Sequence, residues 1–409
     1  MGTASRAATG SDSVLGRSPR LVFEPGTTAE AAEVFAQAAA DKLHLAVIGG
    51  GTALGLGRGP DPLDAVVRTS GMARILEYAP ADMVLIAEAG VTLAQIQATT
   101  RQQRQRLALD APDPARATVG GLVATGAAGP LRARYGTIRD LIIGVALVRA
   151  DGKLARGGGK VVKNVAGFDL PKLACGSLGT LGMIAAANFR LHPLPEVSVT
   201  ALVPGLQAAQ VALLQVRARE AQLEPAAATA LRGAGGRFDL GVVFEGFAAG
   251  VAQQLARLAE VARAAGAGCE RLSDQAAADF RARHDQVRET GELRVRVAAL
   301  PSGLGAVDAL SAPLLGALTN GAFAWYAAAG VGWISGAVTE ASAAAAALAT
   351  LRDGLAGKGG SLVLEATPPA LRSVDPWGPV PASFPLMQRL KHNFDPERRL
   401  NPGRFLGGL

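Results

Sequence analysis

The stretch Gly157 to Ile184, GGGKVVKNVAGFDLPKLACGSLGTLGMI, joins bare backbone to positive charge. It holds three of the chain's seven lysines, Lys160, Lys163 and Lys172. Two more glycine-rich clusters precede it. Gly49-Gly50-Gly51-Thr52 follows the apolar run Leu45–Ile48. Thr118-Val119-Gly120-Gly121 is followed by Ala124, Thr125, Gly126 and Gly129. Without a Cβ, glycine lets backbone N–H groups come close to a ligand. Consecutive N–H groups in a turn form a concave anion site, and each hydrogen bond to a charged oxygen contributes about 1.5–3 kcal/mol. One such cluster is more readily explained by a tight turn. Three, each beside a strand-like run, could cradle an extended ligand with a diphosphate at its middle.

Two familiar phosphate motifs are excluded. The run GLGRG (Gly55–Gly59) looks like a dinucleotide fingerprint, but that motif opens a helix and has an acidic residue about 20 positions on. Here Pro60-Asp61-Pro62 follows. The P-loop pattern fails because Lys160 is followed by Val161.

Other chemistries find little footing. Cys175 and Cys269 are isolated, with no C-x-x-C, so cysteine builds neither an iron–sulfur cluster nor a zinc site. His44, His192, His284 and His392 never pair at ligand spacing and read as ordinary surface or core residues. The net charge of +7 comes from scattered arginines, and aromatic residues make up only 4 %, so no nucleic-acid partner is expected. An acidic partner protein remains compatible with that charge. No apolar run approaches the roughly 20 residues of a membrane helix. Residues 1–20 lack the apolar core of a signal peptide and read as a disordered tail. A cytoplasmic location is expected, with any membrane association made through partners.

The elements that must position the glycines are those of an α+β protein. Thr27 and Glu30 form a capping-box pattern ahead of a helix whose Ala31, Val34, Phe35 and Ala38 share one face. Thr92 caps another. Composition shifts at His192–Glu196. Beyond it the pattern strand, helix, strand, strand, helix, strand occurs twice, over residues 197–272 and 293–365, as in ferredoxin-like units. The tail SFPLMQRLKHNFDPERRLNPGRF is a short helix and Pro-punctuated loops, rich in basic residues.

The order of the glycine clusters resembles the FAD-binding domain of the vanillyl-alcohol-oxidase / p-cresol-methylhydroxylase superfamily (PCMH-type). Within it, the chain looks most like the FAD-binding subunits of bacterial glycolate oxidase. KVVKNVAGFDLPKLACGSLGTLGMI is the most specific part, and the ending FDPERRLNPGRF is also similar. The resemblance implies a two-subdomain FAD domain over 21–195, a cap domain of the two β-α-β-β-α-β units over 196–375, and a tail, 376–409, returning to the FAD domain. It implies that Ile48, Gly49, Gly50, Gly51, Thr52, Ala53 and Leu54 hold the FAD diphosphate. Pro112, Thr118, Gly120, Gly121, Ala124, Thr125 and Gly126 would line diphosphate, ribose and flavin. Tyr135, Gly136 and Asp140 would shape the next turn, and Gly179, Gly182 and Ile184 would lie against the flavin and adenine ends. Lys163 and Asn164 are expected nearest the isoalloxazine.

Two departures bear on activity. Some members tether FAD through a histidine beside the first glycine loop; here Gly51-Thr52-Ala53 occupies that place, so non-covalent FAD is expected. The H-x-G-D-G-N-x-H-like motif of catalytic relatives is absent. Arg404 is a candidate for a substrate carboxylate and Glu245 an interior carboxylate without an evident partner, but no catalytic base emerges. The resemblance therefore implies a chain that binds FAD and acts in electron transfer or assembly. It would work beside a catalytic FAD-linked glycolate oxidase subunit and an iron–sulfur subunit, on a small 2-hydroxy acid. Two alternatives stay open: a self-sufficient FAD-dependent glycolate or D-lactate dehydrogenase, and a scaffold with an empty FAD site.

Overall fold

The computed structural model describes residues 5–160 and 167–409. The chain forms two compact units. The first comprises residues up to Gly129, Gly136–Leu194 and Pro379–Leu409; the second comprises Pro130–Tyr135 and Pro195–Gly378. Among the described residues no helix is long and apolar enough to cross a membrane.

The first unit holds two main sheets. One contains β1 (Ser5–Ala7), β2 (Leu21–Phe23), β3 (Leu45–Ile48) and β4 (Ala65–Arg68), in the order β1-β2-β4-β3. β2, β4 and β3 are parallel. The helix Thr28–Ala40 connects β2 to β3. Its first turn is capped by Thr27, whose hydroxyl accepts from the Glu30 N–H at 3.1 Å. Its Ala31, Val34, Phe35 and Ala38 are buried, as their spacing predicts.

The second sheet is antiparallel. It is built from β5 (Ile75–Ala79), β6 (Val84–Glu88), β8 (Ile142–Val148), β9 (Leu154–Gly158) and β10 (Met183–Arg190), ordered β5-β6-β10-β8-β9. A small ribbon pairs β7 (Gln105–Arg106) with β11 (His192–Pro193). The helix Val119–Thr125 packs on β10 through Val119, Leu122 and Val123, in a core shared with Ile184 and Ala187.

Residues 5–20 are not the mobile tail their composition suggests. β1 pairs antiparallel with β2. Asp12 is fully buried and accepts from Arg6 at 2.9 Å, from Arg68 at 2.7 Å and from the Thr9 N–H at 2.8 Å. Val14 is also fully buried, in a small core with Ala46, Ile48 and Val66.

The second unit is one eight-stranded sheet. Its strands are β12 (Val197–Leu206), β13 (Ala227–Arg232), β14 (Phe238–Gly246), β15 (Glu270–Arg271), β16 (Leu293–Ala298), β17 (Leu318–Tyr326), β18 (Val331–Val338) and β19 (Ser361–Ala366). The order is β15-β12-β14-β13-β17-β18-β16-β19. Each half is a β-α-β-β-α-β unit, and the halves join where β13 pairs antiparallel with β17, Thr229 opposite Tyr326. One face packs on the helices Ala208–Glu220, Ala248–Ala264, Leu304–Gly316 and Ala341–Ala356. Alternation along the strands turns the other side chains away. There Phe280 and Val287, from the connector helix Asp274–Glu289, pack with Leu231, Ala324, Tyr326 and Trp333.

Candidate functional site

A cavity lies in the first unit where β3 ends. The turn Gly49–Leu54 forms one wall; Thr118, Gly120, Gly121, Ala124 and Thr125 form a second. Leu178, Gly179 and Gly182 to Ile184 form a third, with Val47, Thr69 and Arg404 completing the lining. Most of these residues present backbone or small side chains, so the cavity is shaped by main chain.

Two glycines show why. A Cβ at Gly50 would run into the carbonyl of Arg116, so no other residue fits without moving that segment. Gly51 has φ +75°, in the left-handed region that side chains disfavour. The turn is tied across the cavity. The Gly50 N–H donates to the Thr118 hydroxyl at 3.4 Å, and Arg116 donates to the Gly50 carbonyl at 3.2 Å. Thr118 is anchored in turn, since the Val119 N–H donates to the Val91 carbonyl and the Gly120 N–H to the Ala89 carbonyl, each at 2.8 Å. On the third wall, the Leu178 N–H donates to the Ala124 carbonyl at 2.8 Å.

Thr69, just past β4, is 2 % exposed, and its hydroxyl has no hydrogen-bond partner within the protein. Buried hydroxyls are nearly always paired, so an unpaired one facing a cavity marks a place for a polar ligand. Arg404 is the only ionisable side chain among the described lining residues. It is buried and donates to the carbonyls of Leu54 at 3.1 Å and Leu56 at 3.4 Å. Burial pulls its guanidinium down to about 10, which leaves it charged at neutral pH. Arg404 therefore braces the Gly49–Leu54 turn from behind and is not the free clamp for a substrate carboxylate expected from the sequence.

The cavity gathers Gly49 to Leu54, Thr118, Gly120, Gly121, Ala124, Thr125, Gly179, Gly182 and Ile184 from three separate motifs. Other expected residues lie elsewhere. Ile48 points into the core with Val14 and Val66. Pro112 does not line the cavity, and Gly126 is the left-handed C-cap of the helix Val119–Thr125. Tyr135 belongs to the second unit, where its hydroxyl donates to Glu245 at 2.9 Å and Arg134 donates to the Glu245 carbonyl at 2.7 Å. Glu245 thus has the partner that the sequence did not reveal. Asp140 accepts from the Thr137 N–H at 2.7 Å and closes the turn after Gly136. Lys163 and Asn164 lie outside the described residues. Lys160 pairs with Glu77 at 2.6 Å and Lys172 with Asp169 at 3.5 Å, so both spend their charge on carboxylates.

Sequence reasoning missed Val47, Thr69, Leu178 and Met183. Thr69 alone carried a signal, a hydroxyl directly after a strand. Two of the four histidines are structural: His284 is buried between Tyr326 at 2.7 Å and Asp285 at 2.8 Å, and His44 bonds Asp64 at 3.0 Å. Among the described residues no group of His, Cys, Asp and Glu side chains could hold a metal ion.

Comparison with known proteins bears on what the cavity holds. Residues 19–158 match the FAD binding domain family. Subunit GlcE of the glycolate oxidase of Escherichia coli (strain K12) is 36 % identical over 165 residues, 40 % of this chain and 47 % of that protein. A D-lactate dehydrogenase of Archaeoglobus fulgidus is 35 % identical over 184 residues, 44 % of this chain and 41 % of that one. The similarity thus spans less than half the length of either relative. In overall structure, p-cresol methylhydroxylase superposes with a TM-score of 0.72 at 16 % identity, over 95 % of this chain and 89 % of that one. The unpaired Thr69 hydroxyl and the glycine-built walls fit such a ligand. Residues 19–158 are thus an FAD binding domain, and the chain is an FAD-binding protein with the fold of p-cresol methylhydroxylase.

Proposed function

We propose that this chain is the FAD-binding subunit of a 2-hydroxy-acid oxidoreductase complex of the glycolate oxidase kind. In this reading it holds FAD non-covalently and serves electron transfer or assembly beside a catalytic flavoprotein chain and an iron–sulfur chain. FAD, when bound, supplies a two-electron acceptor. Gly49–Leu54 would hold its diphosphate by main-chain N–H groups with Thr118 and Gly121 lining it, Thr69 would donate or accept through its hydroxyl, and Ala124, Thr125, Leu178 and Ile184 would exclude water from the rings.

One observation carries the division of labour. Oxidising a 2-hydroxy acid calls for a group that removes the hydroxyl proton and a cation for the carboxylate. Among the described residues lining the cavity, only Arg404 is ionisable, and it is committed to the Leu54 and Leu56 carbonyls. The same lining contains no His, Cys or Tyr that could form a bond to the flavin, which supports non-covalent binding. The likeness to a protein named as a glycolate oxidase subunit supports the substrate class.

The test is reconstitution of glycolate-dependent dye reduction. Activity is expected when the chain is combined with a catalytic flavoprotein chain and a cluster-bearing chain, and not from the chain alone. Full turnover by the isolated chain would make it a self-sufficient dehydrogenase instead. Undiminished activity of a complex carrying Gly50→Val and Gly120→Val would reduce it to a scaffold.

A further inference from the structure

The third wall of the cavity is held only in part by its own neighbours, through the Leu178 N–H to the Ala124 carbonyl and Thr180 to the Ser177 carbonyl. Leu178 and Gly179 both adopt left-handed backbone, φ +50° and +70°. For leucine that conformation costs about 1–2 kcal/mol, so something must over-determine it. The structure shows what does. Lys391, in the last turn of the helix Phe384–Phe394, is 2 % exposed. An ammonium has three N–H donors, and Lys391 gives one each to Asp395 at 2.6 Å, the Thr180 carbonyl at 2.8 Å and the Leu400 carbonyl at 2.9 Å. Asp395, fully buried, also accepts from the Arg399 N–H at 3.0 Å and the Leu400 N–H at 2.8 Å. Asn401 donates its side-chain N–H to the Leu178 carbonyl at 3.0 Å.

The same segment grips the opposite wall. Leu400 bridges Leu45 in parallel: the Leu45 N–H donates to the Arg399 carbonyl, and the Asn401 N–H to the Leu45 carbonyl, each at 2.8 Å. β3, which begins at Leu45, runs straight into Gly49. Arg404 then braces Leu54 and Leu56.

We propose that Lys391, Asp395 and Asn401 form a latch that sets the spacing of the two cavity walls and thereby retains FAD. The proposal rests on the reading of this cavity as the FAD site. These are positioning residues: Lys391 donates to the Thr180 and Leu400 carbonyls and Asn401 to the Leu178 carbonyl, so they act through the third wall and the turn after β3. Lys391 is not a reactive lysine, because its three donors are spent.

The experiment measures the FAD dissociation constant of the full chain, after removal of bound flavin, by quenching of flavin fluorescence. Wild type is titrated first; if it takes up no FAD, the reading of the cavity falls and the latch with it. Asn401→Gly keeps the left-handed backbone that Asn401 adopts at φ +46° but removes the bond to Leu178. It is expected to raise the constant about tenfold, the equivalent of one lost hydrogen bond in a fixed site. Lys391→Met is expected to do so more strongly, provided circular dichroism shows it folded. Leu348→Ala, in the core of the second unit, is the control: it lowers the melting temperature and leaves the FAD constant at the wild-type value. Folded Asn401→Gly binding FAD as tightly as wild type would overturn the latch. So would an equal weakening by Leu348→Ala, which would reduce the effect to general destabilisation.

Discussion

At the scale of single residues, Thr69 and Gly50 make opposite kinds of contribution. The Thr69 hydroxyl is buried without a partner in the protein, so Thr69→Val removes only what it gives to a ligand. A neutral hydrogen bond contributes about 1 kcal/mol, so the FAD dissociation constant should rise about fivefold while the apoprotein melts no lower. A drop in the apoprotein's melting temperature with unchanged FAD affinity would show that the hydroxyl serves the fold. Gly50→Val adds carbons where the Arg116 carbonyl stands, and titration should find no measurable FAD binding. Cys175 is a third case. Burial pushes its thiol up to about 11, so at pH 8 almost none is thiolate, the reactive form. Cys175 should therefore react with a disulfide reagent much more slowly than an unfolded control, as absorbance of the released thiol will report. A rate equal to that of the unfolded chain would contradict that shift.

At the scale of elements, the N-terminal strand is held by charge. The bonds from Arg6 hold the Asp12 carboxyl well below the usual carboxylate range, with Thr9 and Arg68 adding to the effect against the cost of burial. A depressed carboxyl contributes stability that is present above the unfolded value of about 3.9 and lost as pH falls toward the folded one. Asp12→Asn should thus cost about 2 kcal/mol at pH 7, and the gap to wild type should narrow below about pH 4. Urea denaturation at both pH values checks this, and a gap that widens in acid would refute it. Asp12 also shows where sequence reading stops. The helix Thr28–Ala40 and the two β-α-β-β-α-β sets were legible because caps and 3.6-residue periodicity are local. The order of residues 5–20 was not, because it depends on Arg68 and β2, distant in sequence. The cavity divides the same way. Gly49–Leu54 and Thr118–Thr125 announced themselves as motifs, whereas Thr69 reaches the cavity only through the parallel pairing of β3 with β4. Tyr135, which the resemblance set at the turn after the glycines, joins Glu245 in the second unit.

At the scale of the whole molecule, the two units have separate cores, and only the first contains the glycine-built cavity. Ligand binding stabilises what it touches, by about 2.7 kcal/mol at a hundredfold excess over the dissociation constant. On adding FAD, hydrogen exchange should slow in 47–54, 118–125 and 178–184. The centre of the eight-stranded sheet, β13 and β17, should stay unchanged; protection confined to that sheet would place the ligand elsewhere. The most direct test of the central claim is the anaerobic visible spectrum of the chain purified alone, before and after glycolate or D-lactate. The expected result is an oxidised flavin spectrum that neither substrate bleaches. Bleaching would contradict the claim by showing that this chain oxidises the substrate itself.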